Sequence, residues 1–362
     1  MSLSTTQVRA ALVNMPHVDL GFFPTPMYRL DNLSEELGVN LYIKRDDFTG
    51  SNLFGGNKTR KLEYLIGRAK ATGCEYVFTY GATQSNHAMQ TIWAASKHNI
   101  KPIVYLVAVV DPDMEDLKAN MLLDTIFGAE IHVVKMLDGE SLDDAEDRAF
   151  RLGAEHVARL EADGHKCLDI PMGGANECGS LGYIQAMVEI AEQMQAAIGQ
   201  DAKAFANAPA HFDYLYHACG SGGTMAGIVA GKKLLGMDTE IHSMLVFEEG
   251  DAYTRACAAL ANKAIQLIGC EEVGEVTTDD LIIDQDHIGP GYEQPSEEGT
   301  EAIKLLARRE GILVDPVYSG KAFAGLIADV REGRIPQGSD VLFVHTGGAT
   351  VFFAEKEIIG RF

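Results

Sequence analysis

The sequence contains no long hydrophobic run: no apolar stretch approaches the roughly 20 residues that a membrane-spanning helix needs. Residues 1–23 also lack the basic start and sustained apolar segment of a secretory leader. The six cysteines form no Cys-x-x-Cys pair and show no histidine spacing typical of zinc. We therefore expect a cytoplasmic protein with reduced thiols, without a membrane partner and without a bound metal.

Basic residues are scarce as well. The 30 Lys and Arg residues stand against 52 Asp and Glu residues, so the formal net charge is −22. A chain with this charge is repelled by phosphate backbones, which argues against a nucleic-acid partner. The 362 residues contain no repeat of fixed period and no low-complexity tract, and they suit two domains or one large α/β unit.

Short apolar runs typical of buried strands alternate with helical patterns along the chain. They lie at residues 76–80, 103–107, 131–134, 214–217, 241–246 and 341–345. This alternation predicts a parallel sheet covered by helices on both faces. Residues 1–20 are predicted to form an arm over the body or over a partner subunit. Residues 138–147 are predicted to be a solvated helix start, and residues 200–211 an exposed connection.

A lysine follows two glycines in the string Gly55, Gly56, Asn57, Lys58, at the predicted start of a helix. The pKa of a solvated lysine is about 10.4, and desolvation or nearby cations lower it toward the range that Schiff-base chemistry needs. The glycines leave room for a flat ligand, and the amide of Asn57 can hydrogen-bond it. The same string also fits a glycine-rich turn before a basic helix.

Two other segments place polar residues directly after a predicted strand. The run 76–80 is followed by Gly81 and then by Gln84, Ser85 and Asn86, which also suit a helix N-cap. The run 214–218 leads into a glycine loop and then a predicted helix at 225–235. Backbone N–H groups of such a loop form a phosphate cradle, although a tight turn before a helix has the same composition.

The order of these parts resembles the pyridoxal-phosphate enzymes of fold type II, the tryptophan synthase β-like fold. Within them it resembles the branch of D-cysteine desulfhydrase and 1-aminocyclopropane-1-carboxylate deaminase. The likeness covers most of the chain. Its matching strings are Pro24-Thr25-Pro26, Ile43-Lys44-Arg45-Asp46-Asp47, 55–65, Gln84-Ser85-Asn86, Gly173-Gly174-Ala175-Asn176, Gly289-Pro290-Gly291-Tyr292, Asp315-Pro316-Val317-Tyr318 and His345-Thr346-Gly347-Gly348.

The resemblance implies a two-domain α/β fold with parallel sheets flanked by helices and pyridoxal 5'-phosphate in the cleft between the domains. Residues 1–61 and 172–362 would form the large domain, and residues 62–171 a smaller inserted one. A homodimer is also implied, and the apolar residues within 13–23 would suit its interface.

The resemblance further implies that Lys58 forms the Schiff base with the cofactor and later moves the Cα proton of the substrate. Lys61 is the competing lysine, because it lies three residues on, near the same helix face. Lys44 lies in another matching string, but beside Arg45 and two aspartates it is expected in a structural ion-pair cluster.

Cofactor contacts follow from the same resemblance. Asn57 and Asn86 would hydrogen-bond the cofactor, Asn86 at its phenolic oxygen. Thr346 would face the pyridine nitrogen, and a neutral hydroxyl there favours expulsion of a β-leaving group. The phosphate would lie on the loop formed by Cys219, Gly220, Ser221, Gly222, Gly223 and Thr224.

Substrate contacts are implied for Ser85, Asn86, His87, Tyr292 and Tyr318. Ser85 would lie near the substrate carboxylate or assist proton transfer, and the two tyrosines would line the active site as donors, nucleophile or base. Taken alone, each tyrosine also fits a packing residue with a tethered hydroxyl.

The expected reaction is α,β-elimination from a small amino acid, with D-cysteine giving pyruvate, ammonia and hydrogen sulfide. An L-cysteate sulfo-lyase would need basic or amide groups for the sulfonate, and the sequence offers no surplus of these. A deaminase is disfavoured by Ser319, where deaminases carry glutamate, and by His87, where they carry glutamine. Met89 stands where the resemblance leads us to expect arginine in both branches, so a charge near the cofactor entrance is either missing or supplied by another residue.

A different class is a protein that binds a nucleotide or pyridoxal phosphate without catalysis. The loop at 220–227 lacks the Gly-Lys-Ser/Thr ending of a P-loop and the spacing of a Rossmann fingerprint. A non-catalytic carrier of pyridoxal phosphate is the stronger of these two alternatives.

Overall fold

The computed structural model of the protein describes residues 2–50, 52, 54–199, 208–354 and 356–362. Of the connection predicted at 200–211, residues 200–207 lie outside this described part. The strands are β1 Met27–Arg29, β2 Asn40–Lys44, β3 Tyr76–Ala82, β4 Lys101–Ala108, β5 Glu130–Lys135, β6 Cys167–Asp169, β7 Tyr214–Cys219, β8 Glu240–Leu245, β9 Ile282–Asp284 and β10 Asp340–Val344.

These strands form two sheets, one of six strands in the order β1-β2-β10-β7-β8-β9 and one of four in the order β5-β4-β3-β6. Strand β1 runs antiparallel to β2, and the other pairings are parallel. Each of the six predicted apolar runs forms a strand. The remaining strands, β1, β2, β6 and β9, were not predicted.

Helices connect and cover the strands. They are α1 Thr5–Leu12, α2 Asp31–Leu37, α3 Asn57–Thr72, α4 Asn86–Lys97, α5 Ala119–Ile126, α6 Leu142–Ala162, α7 Glu177–Gly199, α8 Gly223–Leu235, α9 Asp251–Leu267, α10 Glu297–Glu310, α11 Ser319–Arg331 and α12 Lys356–Ile359. Short 3₁₀ turns lie at Asp46–Phe48, Met172–Gly174, Glu271–Val273, Thr278–Asp280 and Ala349–Phe353. Within the described residues, no helix combines the length and apolar character that crossing a membrane requires.

The six-stranded sheet is buried on both faces, as predicted. Along β10, Leu342 packs into the core beneath α7, α8 and α9, while its neighbour Phe343 packs into the core beneath α10 and α11. Successive side chains of a strand point to opposite faces, so a strand that is apolar throughout needs cover on both sides. The alternating βα order supplies that cover.

The four-stranded sheet is covered in the same manner. Ala88 and Ile92 of α4 pack against Val104 of β4, and α6 packs its Ala145 and Ala149 against the opposite face. This sheet lies entirely within residues 62–171, which supports our proposal that they form the smaller domain. Residue 62 itself lies inside α3, and hydrogen exchange that resolves the two sheets as separate units would test the division.

The first residues form an arm over the body of the protein. Helix α1 starts at a capping box between Ser4 and Gln7 and packs on α7. Its Val8 and Leu12 are buried in the main core, and the backbone N–H of Leu3 donates to the carbonyl of Leu234 at 2.7 Å. Of the two predicted arrangements, an arm over the body or over a partner subunit, the structure confirms the arm over the chain's own body.

A buried cluster of charges joins the sheet to α3 and α7. The guanidinium of Arg60 donates to Asp46 at 2.7 Å and to Glu189 at 3.0 Å, and Lys44 donates to the same glutamate. Burial alone would raise the pKa of Glu189, but Arg60 and Lys44 hold it at about 2. Lys44 is thus part of a structural ion-pair cluster, as predicted.

Removing one member of this cluster should cost far more stability than removing a surface ion pair. Arg60→Met leaves two buried carboxylates without their guanidinium, and we expect the free energy of unfolding to fall by about 3–5 kcal/mol in urea. Arg9→Met is the matched control, because the Arg9–Glu192 pair is partly exposed at 47% and 36% and should contribute less than about 1 kcal/mol. Equal losses in the two variants would contradict a supporting role for the cluster.

Candidate active site

A cavity of about 540 Å³ opens at the carboxyl ends of β3, β7 and β10, between the two sheets. Ligands of open α/β folds bind at this end of the strands, because loops and helix N-termini converge there. The predicted site residues that line it are Asn57, Lys58, Ser85, Asn86, His87, Cys219, Gly220, Ser221, Gly222, Thr224, Tyr292, Tyr318 and Thr346. Gly223, the other predicted residue, begins α8 and is buried.

Lys58 is the second residue of α3. The start of this helix is fixed by Asn57, whose backbone N–H donates to the carbonyl of Thr346 at 3.0 Å and whose amide donates to Thr224 Oγ1 at 3.0 Å. Lys58 Nζ donates to Asn57 Oδ1 at 3.0 Å. Burial, opposed by Asp315, lowers the pKa of Lys58 to about 8, so more of its amine is unprotonated at neutral pH than in a solvated lysine.

The two glycines before Lys58 are explained by packing within the protein rather than by room for a ligand. A Cβ atom on Gly55 would lie 2.5 Å from the carbonyl oxygen of Asp47. A Cβ atom on Gly56 would lie 3.0 Å from the carbonyl oxygen of Thr346 and 2.8 Å from Gln90 Nε2. The glycines therefore let the start of α3 pack directly against its neighbours, which corrects the reason inferred from the sequence.

Lys61 also lines the cavity, one helical turn beyond Lys58. Its Nζ donates to the carbonyl of Gly173 at 3.0 Å, and a Cβ atom on Gly223 would lie 3.0 Å from it. Burial and the nearby Lys58 lower its pKa well below the ordinary value. Lys61 is thus held beside the glycine loop, a placement that the sequence did not predict.

The glycine loop connects β7 to α8 through a left-handed turn. Gly222 has φ +78°, which only glycine adopts without strain, and a Cβ atom there would lie 2.5 Å from Cys257 Sγ. The first N–H groups of a helix have no acceptor within the helix, so the start of α8 offers several donors next to Ser221 and Thr224. These are the features that an anionic group requires.

All six cysteines carry free thiols. Cys219, at the end of β7, lies 3.2 Å from the hydroxyl of Tyr253. Burial raises its pKa to about 11, so the side chain is a neutral thiol at the base of the loop.

Ser85 and Asn86 form the start of α4. The Ser85 hydroxyl caps the helix by accepting from the N–H of Ala88 at 3.2 Å. The Asn86 amide oxygen accepts from Asn120 at 2.8 Å and from Thr350 at 3.2 Å, so its amide nitrogen is the donor that remains for a ligand. Helix capping and a place on the cavity wall are therefore combined in these residues.

His87 lines the cavity but is engaged inside the protein. Its Nε2 lies 2.7 Å from Thr79 Oγ1, and its Nδ1 lies 3.5 Å from Thr91 Oγ1. Burial, with Lys58 and Lys61, lowers its pKa well below the ordinary value and keeps the ring neutral. Its contact with a substrate stays a prediction.

Two hydroxyls lie together where β10 ends. Ser319 Oγ is 3.2 Å from Thr346 Oγ1 and 3.2 Å from the carbonyl of Gly347. Asp315 lies nearby, but it accepts hydrogen bonds from the N–H groups of residues 317–319 and so fixes the start of α11. Ser319 is therefore a direct hydrogen-bond partner of Thr346.

The hydroxyls of Tyr292 and Tyr318 are hydrogen-bonded to each other on the cavity wall. Burial raises the pKa of both phenols, so both are protonated at neutral pH. Lys321, which the sequence did not single out, holds the loop before Tyr292 by donating to the carbonyls of Ile288 at 2.7 Å and Gly291 at 2.8 Å.

Carboxylates line the mouth of the cavity. Asp143 and Glu146 come from the first turns of α6, and Glu248 and Glu249 from the loop after β8. Burial, together with Asp143 and Asp147, raises the pKa of Glu146 to about 7. The prediction of a solvated helix start at 138–147 is thus wrong for Glu146, which faces the cavity because α6 packs beside it.

Met89 is buried and supplies no charge. Among the described residues that line the cavity, the lysines are Lys58 and Lys61, and no arginine is present. The described cavity wall therefore contains no arginine that could take the place of the one expected at position 89. Trp93, one turn later in α4, is part of the core.

The arrangement defines a class of protein. It is an α/β enzyme in which one cavity is surrounded by a lysine of lowered pKa, a glycine loop at a helix N-terminus and several hydroxyl groups. Residues 18–347 match the family described as pyridoxal-phosphate dependent enzyme. The chain belongs to this family, and its fold is the type II fold expected from the sequence.

Relatives narrow the family to one branch. The chain is 38% identical over 349 residues to a D-cysteine desulfhydrase of Serratia proteamaculans, covering 95% of this chain and 97% of the relative. It is 36% identical to a Pyrococcus horikoshii protein provisionally named 1-aminocyclopropane-1-carboxylate deaminase, covering 96% of each. A solved structure described as an ACC deaminase homologue superposes with a TM-score of 0.80 at 36% identity over 96% of each chain. The protein is thus a pyridoxal-phosphate dependent lyase of the D-cysteine desulfhydrase and 1-aminocyclopropane-1-carboxylate deaminase branch.

The cavity fits the cofactor of this family. The N-terminus of α8 with Ser221, Thr224 and Lys61 suits a phosphate, and the amine of Lys58 suits an aldehyde. Donor amides from Asn57 and Asn86 and the neutral hydroxyl of Thr346 lie on the same walls. Each functional group of pyridoxal phosphate thus has a partner of matching chemistry.

Proposed function

We propose that the protein eliminates the β-substituent of a small amino acid, with D-cysteine and water giving pyruvate, ammonia and hydrogen sulfide. The observation that carries this proposal is the pairing of a low-pKa lysine with two protonated phenols on the walls of one cavity. Elimination needs a base for the Cα proton and an acid for the leaving group. Lys58 and the tyrosine pair supply these two functions.

When bound, pyridoxal phosphate withdraws electrons from the Cα of the amino acid joined to it. In our proposal Lys58 Nζ accepts the Cα proton, because its lowered pKa leaves an unprotonated amine available near neutral pH. Asn57 holds that amine by the hydrogen bond to its amide oxygen. Lys58 is therefore proposed as the cofactor-bearing lysine and the base.

Binding of the cofactor is assigned to three groups of residues. Cys219 to Thr224, with the N-terminus of α8, would hold the phosphate, supported by Lys61. Asn86 would donate to the phenolic oxygen through its free amide nitrogen. Thr346, bonded to Ser319, would face the pyridine nitrogen with a neutral hydroxyl, which favours elimination over chemistry that stores charge in the ring.

The tyrosine pair is proposed as the acid. Tyr292 and Tyr318 share a hydrogen bond, so one phenol can donate to the leaving thiolate while the other stabilises it. Their raised pKa values keep both phenols protonated at neutral pH, so each has a proton to donate. Ser85 and the N-terminus of α4 would bind the substrate carboxylate, because a helix N-terminus stabilises an anion.

The charge of the cavity supports a substrate with a neutral thiol over a substrate with a charged sulfonate. Carboxylates line its mouth, and no arginine lies among its described walls. A sulfonate would be desolvated beside these carboxylates without a strong donor of its own. This separates our leading candidate from an L-cysteate sulfo-lyase.

The second candidate is 1-aminocyclopropane-1-carboxylate deaminase, which the names of the relatives favour equally. Ser319 speaks against it, since the resemblance assigns a glutamate to that position in deaminases. A protonated phenol pair also suits donation to a leaving group better than attack on a cyclopropane ring.

A panel of substrates tests the proposal. We would incubate the purified enzyme separately with D-cysteine, L-cysteine, L-cysteate and 1-aminocyclopropane-1-carboxylate, and identify the keto acid formed. The proposal expects pyruvate together with sulfide from D-cysteine. Formation of 2-oxobutyrate from the cyclopropane compound, with no product from D-cysteine, would instead establish the deaminase.

Glu146→Gln should weaken the rejection of a sulfonate. We expect L-cysteate to inhibit turnover of D-cysteine with an inhibition constant about fivefold lower in this variant at pH 8. The difference should shrink below pH 7, because protonation of Glu146 then removes the same charge from the wild type. Glu161→Gln, an exposed carboxylate on α6, is the control and should change nothing.

We also propose a homodimer in the cytoplasm, as the resemblance implies. Val13 and Phe22 support the dimer, since these two residues are 83% and 68% exposed although both are apolar. Sedimentation that gives only the monomer mass, or fractionation that finds the protein outside the cytoplasm, would contradict this proposal.

A further inference from the structure

A cluster of two histidines and a carboxylate lies at the edge of the four-stranded sheet, outside the cavity. Glu130 and His132 belong to β5, and His156 belongs to α6. One potential ligand atom from each of the three lies within 4.8 Å of the other two. The reaction proposed above uses none of them.

The fold brings these residues together for a simple reason. Residues two apart in a strand point to the same face, so Glu130 and His132 share one face of β5. Helix α6 packs on this sheet and places His156 beside them. Because β5 is the outer strand of the sheet, the cluster lies at an open edge.

Aromatic neighbours hold the two histidines in place. Tyr105 is the cross-strand partner of His132, and their rings stack 4.5 Å apart at 8°. The Tyr105 hydroxyl lies 3.1 Å from His156 Nδ1, and Phe78 packs edge-on against the same imidazole. When His156 Nδ1–H donates to that hydroxyl, its Nε2 is left as a free acceptor, the arrangement that supports metal-bound histidines.

The charges of the cluster also suit a cation. Glu130 provides one negative charge, and its carboxylate lies 2.8 Å from His132 Nε2. The side chains of His132 and Glu130 are 38% and 54% exposed, which leaves access for an ion and a water ligand.

We propose that Glu130, His132 and His156 form a binding site for Zn²⁺, completed by water. Two imidazoles and one carboxylate are a ligand set that zinc accepts, and ligands of a tetrahedral zinc lie about 3.3 Å apart. Rotation of the exposed Glu130 side chain can bring its carboxylate closer to the two imidazoles, while the His132 ring stays stacked on Tyr105. The bound ion ties α6 to the edge strand and stabilises the smaller sheet.

Calorimetric titration of the cofactor-loaded protein with zinc chloride tests this site. We expect one saturable equivalent and a rise of about 2 °C or more in the thermal midpoint. His132→Ala and His156→Ala should each weaken zinc binding at least tenfold. His165→Ala is the matched control, because His165 is an exposed histidine paired with Glu75 at 3.2 Å and is not part of the cluster.

Two checks keep the outcome interpretable. The thermal midpoint of each variant without zinc shows whether it is folded, and His132→Gln repeats the test with a smaller change of shape. Zinc affinity that is the same in the wild type and the folded His132 and His156 variants overturns the site. The absence of saturable binding by the wild type overturns it as well.

Discussion

Replacement of Lys58 by alanine should abolish turnover of D-cysteine, with kcat/KM lower by about 10⁴-fold or more. The substitution removes the amine that lines the cavity and whose pKa is lowered to about 8. Among the described residues that line the cavity, the other lysine is Lys61, and its Nζ donates to the carbonyl of Gly173 at 3.0 Å instead. A coupled assay of pyruvate release measures the loss.

Lys70→Ala is the matched control for this variant. Lys70 belongs to the same helix, α3, but its side chain is exposed and lies outside the cavity, so activity should be unchanged. Lys61→Ala is expected to weaken cofactor binding, which excess pyridoxal phosphate should partly restore. Full activity of Lys58→Ala combined with an irreversible loss in Lys61→Ala would assign the catalytic amine to Lys61.

Tyr292→Phe and Tyr318→Phe should each lower kcat for D-cysteine by about 10²-fold to 10³-fold. Either change breaks the hydrogen bond between the two phenols and removes part of the acid that we propose for protonation of the leaving group. Because the pair acts as one unit, the double variant should lose little more than the stronger single variant. Steady-state kinetics of sulfide release give these values.

A substrate with a better leaving group provides the specific test of this role. With β-chloro-D-alanine, whose chloride leaves without a proton, both variants should retain most of the wild-type rate. Tyr216→Phe is the control for a buried phenol, since its hydroxyl bonds to Asp329 away from the cavity and its loss should affect stability alone. Equal losses with both substrates would contradict the role of the pair as acid.

Much of the fold could be predicted because its central strands are apolar over several residues. β3, β4, β7, β8 and β10 are of this kind, and each is buried on both faces. The strands β1, β6 and β9 have three residues each, which is too short for a period to be recognised. These short strands form because they pair with neighbouring strands of the sheet, and a local sequence pattern does not show which strands will be neighbours.

The residues of the candidate site also differ in whether a local sequence pattern predicts them. Lys58 and the glycine loop stand in distinctive strings, so the sequence alone indicated both. Glu146 lay in a run that was interpreted as solvent-exposed, and only the packing of α6 turns it toward the cavity. Lys321 is hydrogen-bonded to the carbonyl of Ile288, and Ser319 to the hydroxyl of Thr346. Because these partners are distant in sequence, no local pattern predicts the contacts.

The most direct test of the account is to reduce the cofactor-loaded enzyme with borohydride and to map the modified peptide by mass spectrometry. Borohydride fixes pyridoxal phosphate on the lysine amine to which its aldehyde carbon is joined. We expect one modified residue, Lys58, and we expect the label to be blocked when D-cysteine is present during reduction. A label on Lys61 or on another lysine, or a protein that holds no cofactor after loading, would contradict it.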